Sequence, residues 1–420
     1  MTFDDVRMRG FRSRAAVDDV VAWLDARARP NAAEDVALSE AAGRVLARDV
    51  ASEVDVPSFR RAAMDGYALA GAETFGATES EPLTLRLEGD VRPGADAGPR
   101  VAPGTAARIR TGAPLPEGAD AVLPAELAEL RGDALFVRGE VAPGRHVGRV
   151  GEDVEAGTTL LRAGRVLRPQ DVGLLSSIGV ARATVFARPR VLVVTTGDEV
   201  LPAGSRAFGS HVADANAPLL AALASRDGAR VRCEGPLPDG DPRLEDAIAR
   251  GDADVVIVAG ASSVGPDDVA PSLAAHHGRV VFHGIAVRPA SPTGFAVVAG
   301  RVVALLPGNP VSALCAYDLL VGRLVRGLGG HAHASPYRVE RLPLARKASS
   351  ELGRTDYLRV RIDAGRVVPL TASGAGILSS AVRADGFVVI PAACEGYPEN
   401  ALVEVHCYDG TTESGPGHRD

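Results

Sequence analysis

The sequence predicts a multidomain α/β protein, with a doubly wound sheet domain between two β-rich segments. Three observations carry this. The chain runs to 420 residues, whereas single hydrophobic cores stop growing at about 250–300. Short apolar runs alternate with helical patterns from Pro189 to Leu328, as parallel βαβ units do. On both sides of that stretch, apolar and polar residues alternate between Gly and Pro turns, which reads as β structure.

Val17, Val20, Val21, Leu24 and Ala28 recur at helical spacing until Pro30, so an early helix is expected. Leu83, Leu85 and Leu87 then alternate with Thr84, Arg86 and Glu88, and apolar runs follow near Ile109, Val122 and Leu135. Pro93-Gly94, Pro103-Gly104 and Pro143-Gly144 punctuate this stretch into a compact β domain. Val191–Val194 is a wholly apolar strand, as where both sheet faces are covered. A helix begins at Asn216, with Pro218 in its first turn and Gly228 beyond its end. A strand near Val231, a helix from Asp241 to Arg250, a strand at Val255–Val258 and a helix after Asp267 come next. The apolar run Val302–Leu306 leads to a helix at Asn309-Pro310, with Leu314, Tyr317, Val321, Leu324 and Leu328 on one face. After Pro336, Leu358, Val360 and Ile362 alternate with Arg359 and Arg361, and Val403, Val405 and Cys407 repeat the pattern. A small barrel or sandwich is expected there, with a disordered polar tail from Gly410.

Hydrophobic residues at 46% and charged residues at 24% fit a soluble globular chain. The acidic N-terminus has no signal-peptide pattern, and no run approaches the ~18 apolar residues of a membrane span. A cytoplasmic protein with no membrane partner is expected. A net charge of −7 argues against a nucleic-acid partner. Cys233, Cys315, Cys394 and Cys407 are far apart, so reduced core thiols are expected rather than disulfides or zinc. Lys347 is the sole lysine of an arginine-rich chain.

Ligands of an open α/β sheet bind beyond the carboxyl ends of its strands. Those ends carry Thr195-Thr196-Gly197-Asp198-Glu199, then Pro238-Asp239, then Gly260-Ala261-Ser262-Ser263-Val264-Gly265 with Asp267-Asp268, and Pro307-Gly308-Asn309-Pro310. Small residues and helix N-termini favour phosphate, whereas the neighbouring carboxylates would repel it. A Mg²⁺ ion between acids and phosphate resolves the conflict. Asp267, Asp268 and Asn309 could equally be plain helix caps. Asp65-Gly66 on its own is a turn, and Arg110-Thr111-Gly112-Ala113-Pro114 a strand running into a proline turn. No GxxxxGK[ST] or GxGxxG follows a strand, which takes the main support from the P-loop and dinucleotide readings.

In order along the chain, these motifs resemble the MoeA/gephyrin E-domain family. They are Asp55-Val56-Pro57-Ser58-Phe59, Ala63-Met64-Asp65-Gly66-Tyr67-Ala68, Arg110-Thr111-Gly112-Ala113-Pro114 and Gly151-Glu152-Asp153. Thr196-Gly197-Asp198-Glu199, Asp214-Ala215-Asn216, Ser263-Val264-Gly265 with Asp268, Pro307-Gly308-Asn309-Pro310-Val311-Ser312 and Gly353-Arg354-Thr355-Asp356 continue the set. The resemblance implies a discontinuous elongated domain (1–52 and 148–187) and an inserted β-rich domain (53–147). A MoaB-like, molybdopterin-binding α/β domain (188–332) and a small β-barrel (333–409) would follow. It implies a homodimer whose cleft joins the α/β domain of one subunit to the Asp65 and Thr111 segments of the other. Contact with other molybdenum-cofactor biosynthesis proteins belongs to the same picture.

The reaction it implies is insertion of molybdenum from molybdate into adenylylated molybdopterin, with Mg²⁺-dependent release of AMP. Carried over by motif, Asp65, Thr111, Glu199, Asp239 and Asp268 would be catalytic, with Glu199, Asp239 and Asp268 on the metal. Asp153, Gly260, Ser262, Ser263, Gly265, Arg288, Pro307, Gly308, Asn309 and Ser312 would hold the cofactor. Two departures stand out. The family's Gly-Gly-Val-Ser loop is Gly260-Ala261-Ser262-Ser263 here, and its K-x-x-x-K-P-G-K-P segment is Gly284-Ile285-Ala286-Val287-Arg288-Pro289-Ala290-Ser291-Pro292. One lysine has become arginine, and two have lost their charge at Gly284 and Ser291. Arg354 and Arg383 are candidates to replace them. A non-catalytic molybdopterin-binding paralogue is the alternative reading. An enzyme acting on another nucleotide-linked pterin is a third.

Overall fold

The computed structural model describes residues 11, 13–96, 98, 100–260, 269–370 and 377–408. Two compact units divide the chain: Val36–Ala42 with Arg48–Ala183, and the remainder.

The first unit is built on a six-stranded sheet in the order Ala121–Pro124, Gly66–Leu69, Thr105–Ile109, Leu83–Val91, Ala134–Val137, Ala128–Arg131. Leu83–Val91 runs parallel to Thr105–Ile109, and the other pairings are antiparallel. Tyr67, Leu69, Leu85, Leu123, Leu135 and Val137 fill one face; Ala68, Val91, Ile109 and Val122 fill the other. The chain leaves and re-enters this region through short pairs, Val50–Ala51 with Thr159–Leu161 and Arg61–Ala62 with Val147–Gly148. Pro169–Ser177 is its helix. Asp171, buried at its start, is clasped by Arg165 and Arg168 and holds a pKa well below the usual carboxylate range.

The second unit centres on a sheet in the order Arg230–Leu237, Arg190–Thr196, Val255–Ala259, Arg301–Leu306, Gly294–Val298, Gly278–His283. Its first four strands are parallel. Alternate residues divide between two cores, with Val191, Val193, Val255 and Ile257 on one face and Leu192, Val194, Val256 and Val258 on the other. Val17–Asp25, Asn216–Arg226 and the helical run from Pro310 cover the first face. Pro242–Arg250 and Ala270–His277 cover the second. This is the doubly wound arrangement.

The sheet differs from the expectation of all-parallel strands, because its last two pairings, on either side of Gly294–Val298, are antiparallel. A two-residue turn at Ala299-Gly300, both with positive φ, makes the hairpin. Alanine at the first turn position hides the usual signal. The final helix is also not continuous. Pro310–Ala316 and Gly322–Leu328 are joined by a π-helical turn at Tyr317–Val321. That turn buries two successive polar residues, with Tyr317 Oη donating to Asp227 and Asp318 accepting from Tyr337 and Tyr357. Burial drives the Asp318 pKa upward.

Beyond Pro336, Arg338–Pro343, Leu402–Cys407, Gly386–Ile390, Thr355–Asp363 and Arg366–Pro369 pair in succession. A bridge between Leu344 and Val367 returns the last strand to the first, so the sheet closes as the expected small barrel. Val360, Val367, Val388, Val403 and Val405 pack inside it. The expected polar tail from Gly410 lies outside the described residues. No helix among the described residues is long and apolar enough to cross a membrane. All four cysteines are free, and Cys233 is exposed rather than in the core as expected, because its strand is the sheet edge.

Candidate functional site

At the carboxyl ends of the parallel strands, Gly235 makes a bulge that re-aims the chain. Its φ is +111°, and a Cβ there would lie 2.5 Å from the Thr195 carbonyl oxygen. The bulge sets two loops side by side. The Gly197 N–H donates to Leu237 O at 3.0 Å and the Asp239 N–H to the Asp198 carboxylate at 2.9 Å. Glu199 and Asp239 therefore occupy adjacent exposed loops. They present the hard oxygen donors that suit Mg²⁺. Ser262, Ser263, Gly265 and Asp268 lie outside the described residues.

Beneath these loops is a polar floor, whose Thr195, Thr196, Asp214 and Asn216 the sequence reading left without an assigned role. Thr195 Oγ1 donates to Asp214 at 2.7 Å, and Asp214 accepts the N–H groups of Asn216 and Ala217. Asn216 Nδ2 donates to Gly308 O at 2.7 Å, tying two strand ends together. Thr196 Oγ1 and Asn216 Oδ1 are buried without partners among the described residues. Such atoms mark places for water or a ligand. Gly260, at φ +104°, lets its backbone pass Thr196. Asn309 precedes its helix without a side-chain capping bond, so the plain-cap reading fails there.

A cavity of about 780 Å³ opens beside this floor, against the barrel. Arg288, Pro307, Gly308, Asn309 and Ser312 line it together. Val287–Arg288 adds a strand to the barrel beside Thr355 and Asp356, which sets Arg288 against the Asp356 carboxylate. The lining also includes Arg346, Lys347, Arg354 and Arg359, so basic side chains face one acid, Asp356. Arg354 pairs with Glu351 and Arg359 donates to Ser380. Lys347 is exposed and has no carboxylate partner among the described residues. Of the expected replacements for the lost charges, Arg354 lines the cavity and Arg383 does not. The sequence reading missed Arg346, Lys347 and Arg359. The one available signal was that the chain's sole lysine sits in a barrel segment.

In the other unit, Asp65 and Thr111 meet directly. The Thr111 N–H and hydroxyl both donate to Asp65 Oδ1 at 2.8 Å. The backbone bond, then the hydroxyl, lowers the Asp65 pKa. Thr111-Gly112 forms the turn expected after its strand, and Gly66, after Asp65, begins a strand so close to Leu123 O that a side chain could not fit. Asp153 stands elsewhere, exposed, its N–H donating to Val56 O at 3.0 Å. It shares no hydrogen bond with Asp65 or Thr111 and does not line the cavity.

The molybdopterin molybdenumtransferase 2 of Mycobacterium tuberculosis is 34% identical over 85% of this chain and 90% of its own. Family models match throughout: "MoeA N-terminal region (domain I and II)" over 15–179, "Probable molybdopterin binding domain" over 192–326, and "MoeA C-terminal region (domain IV)" over 341–408. The chain belongs to the MoeA family. Among its MoeA relatives, the molybdopterin molybdenumtransferase of Haemophilus influenzae is 35% identical over 72% of this chain and 74% of its own. The crystal structure of a molybdopterin biosynthesis MoeA protein from Pyrococcus horikosii superposes with TM-score 0.81 at 32% identity, covering 95% of this chain and all of that one.

Proposed function

We propose that this chain is a molybdopterin molybdenumtransferase of molybdenum cofactor biosynthesis. It takes molybdate and adenylylated molybdopterin as substrates and releases AMP. The observation that carries the reading is the basic cavity. Five residues assigned to the cofactor from motifs in separate parts of the sequence line it, and the excess of cationic side chains suits an oxyanion.

Arg288, Arg346, Lys347 and Arg359 would hold the molybdate and phosphate oxygens, and Ser312 would donate a hydrogen bond. The strand-end floor of Thr196, Asn216, Gly260 and Gly308 would seat the nucleotide side of the substrate. Mg²⁺, held by Glu199, Asp239 and Asp268, would supply positive charge against the phosphoanhydride. Asp65, already ionised by its Thr111 donors, would orient a water or a molybdate oxygen. We place Asp65 and Thr111 in the cleft through a homodimer, with the second copy contributing them. Cytoplasmic location and contact with neighbouring enzymes of the pathway belong to this proposal.

The test is AMP release by the purified protein from adenylylated molybdopterin, Mg²⁺ and molybdate. AMP should form with molybdate present and fall to background without it. Pterin binding with no molybdate-dependent AMP would establish the non-catalytic carrier instead.

A further inference from the structure

Cation supply at the cavity does not end with the residues that line it. Phe11 and Ala15 lie along the loop that forms the rim. The Ala15 N–H donates to Gly284 O at 3.0 Å, the Ala286 N–H donates to Ala15 O at 2.8 Å, and Ala15 bridges Ile285 in parallel. The Phe11 ring covers Gly284, where a Cβ would lie 2.5 Å from Phe11 Cδ1, and it meets His283 edge-on at 5.0 Å. This register brings Arg14 to Ser291, with Nε donating to Ser291 Oγ at 2.7 Å. Ser291 is itself part of the cavity wall.

We propose that Arg14 is an anion-binding residue of this cavity, delivered to its rim by the pairing of its neighbour Ala15 with Ile285. The inference rests on the transferase reading and adds a residue to it. Arg288 and Arg354 each face a carboxylate, Asp356 and Glu351. Among the described residues Arg14 has no carboxylate partner, and its one side-chain hydrogen bond is from Nε, with none from either Nη. The Phe11 ring, 5.9 Å from the guanidinium carbon, limits its swing. A side chain at Gly284, where φ is +88°, would have to displace Phe11, and Ser291 carries no charge. The positive charge that this loop lacks therefore comes from a distant part of the chain. A guanidinium so placed presents paired N–H donors to an oxyanion.

Binding of molybdate alone to the full-length protein, measured by equilibrium dialysis with metal analysis, tests this without turnover. Arg14→Ala should weaken binding about five- to tenfold at low salt, and the difference should shrink as salt rises. Arg14→Ala combined with Ser291→Lys should return affinity to within about twofold of the parent, since the charge is restored at the same wall. A packing role alone would give no such rescue. Lys347→Ala is the comparator. If it weakens binding while Arg14→Ala does not, Arg14 is only a packing residue and the inference fails alone. If the parent binds no molybdate, the cavity reading itself falls and takes this inference with it.

Discussion

Asp65 and Thr111 are separated by 46 positions, yet one carboxylate oxygen accepts both the N–H and the hydroxyl of Thr111. Both residues are exposed, so the contact adds little to stability and is better understood as fixing a charge in place. The Asp65 pKa is lowered first by the backbone N–H and then by the hydroxyl. A depressed folded-state pKa gives stability that is present above the unfolded pKa and is lost only as pH falls through the folded one. That window lies below the ordinary aspartate value near 3.9. Asp65 thus stays ionised across neutral pH, and any activity limb between about pH 5 and 8 must come from another group. Asp65→Ala should lower the turnover number for AMP release by about 100-fold or more, while the unfolding temperature shifts by less than about 2 °C. An unchanged rate would show that the carboxylate is not in the cleft.

At the scale of elements, the strand ends depend on backbone positions that only glycine occupies without strain. Gly260 ends its strand at φ +104°, and a Cβ there would come 2.6 Å from the Thr196 carbonyl oxygen. Gly260→Ala should therefore cost about 2 kcal/mol or more, seen as an earlier midpoint in urea denaturation. A midpoint equal to the parent's would mean that this close approach is not maintained in solution. Such positions explain which parts of the molecule were legible in sequence. Val191–Val194 and Val255–Val258 announced the parallel strands because both faces are covered and no polar residue interrupts them. Gly294–Val298 did not, since its hairpin with Arg301–Leu306 turns on Ala299-Gly300 rather than on an Asn-Gly pair. The π turn at Tyr317 was equally silent. Its apolar face keeps helical spacing, while the polar contacts that widen the turn come from Asp227, Tyr337 and Tyr357, far away in sequence. The cavity divides in the same way. Pro307-Gly308-Asn309 follows a recognisable strand, but Arg346, Lys347 and Arg359 join it only because Val287–Arg288 pairs with a barrel strand. Register between such distant segments leaves no local signal.

For the molecule as a whole, the proposed acids fall in different compact units, Asp65 with Thr111 in one and Glu199 with Asp239 in the other. Each pair is ordered by its own hydrogen bonds, within its own sheet and loops. Neither pair offers the full chemistry alone, because one lacks the basic cavity and the other lacks the Thr111-bound carboxylate. The homodimer proposal therefore makes a demand that a single-subunit site does not. Two inactive variants, Asp65→Ala and Glu199→Ala, can be mixed, unfolded gently and reassembled. If each cleft joins Glu199 of one subunit to Asp65 of its partner, every hybrid dimer contains one cleft with both acids intact and one with neither. Random exchange makes about half of the dimers hybrid, so about a quarter of the parent activity should return. If a single subunit supplied both acids, every cleft in the mixture would lack one of them. AMP release would then stay at the level of the separate variants, and the shared-cleft arrangement would be wrong.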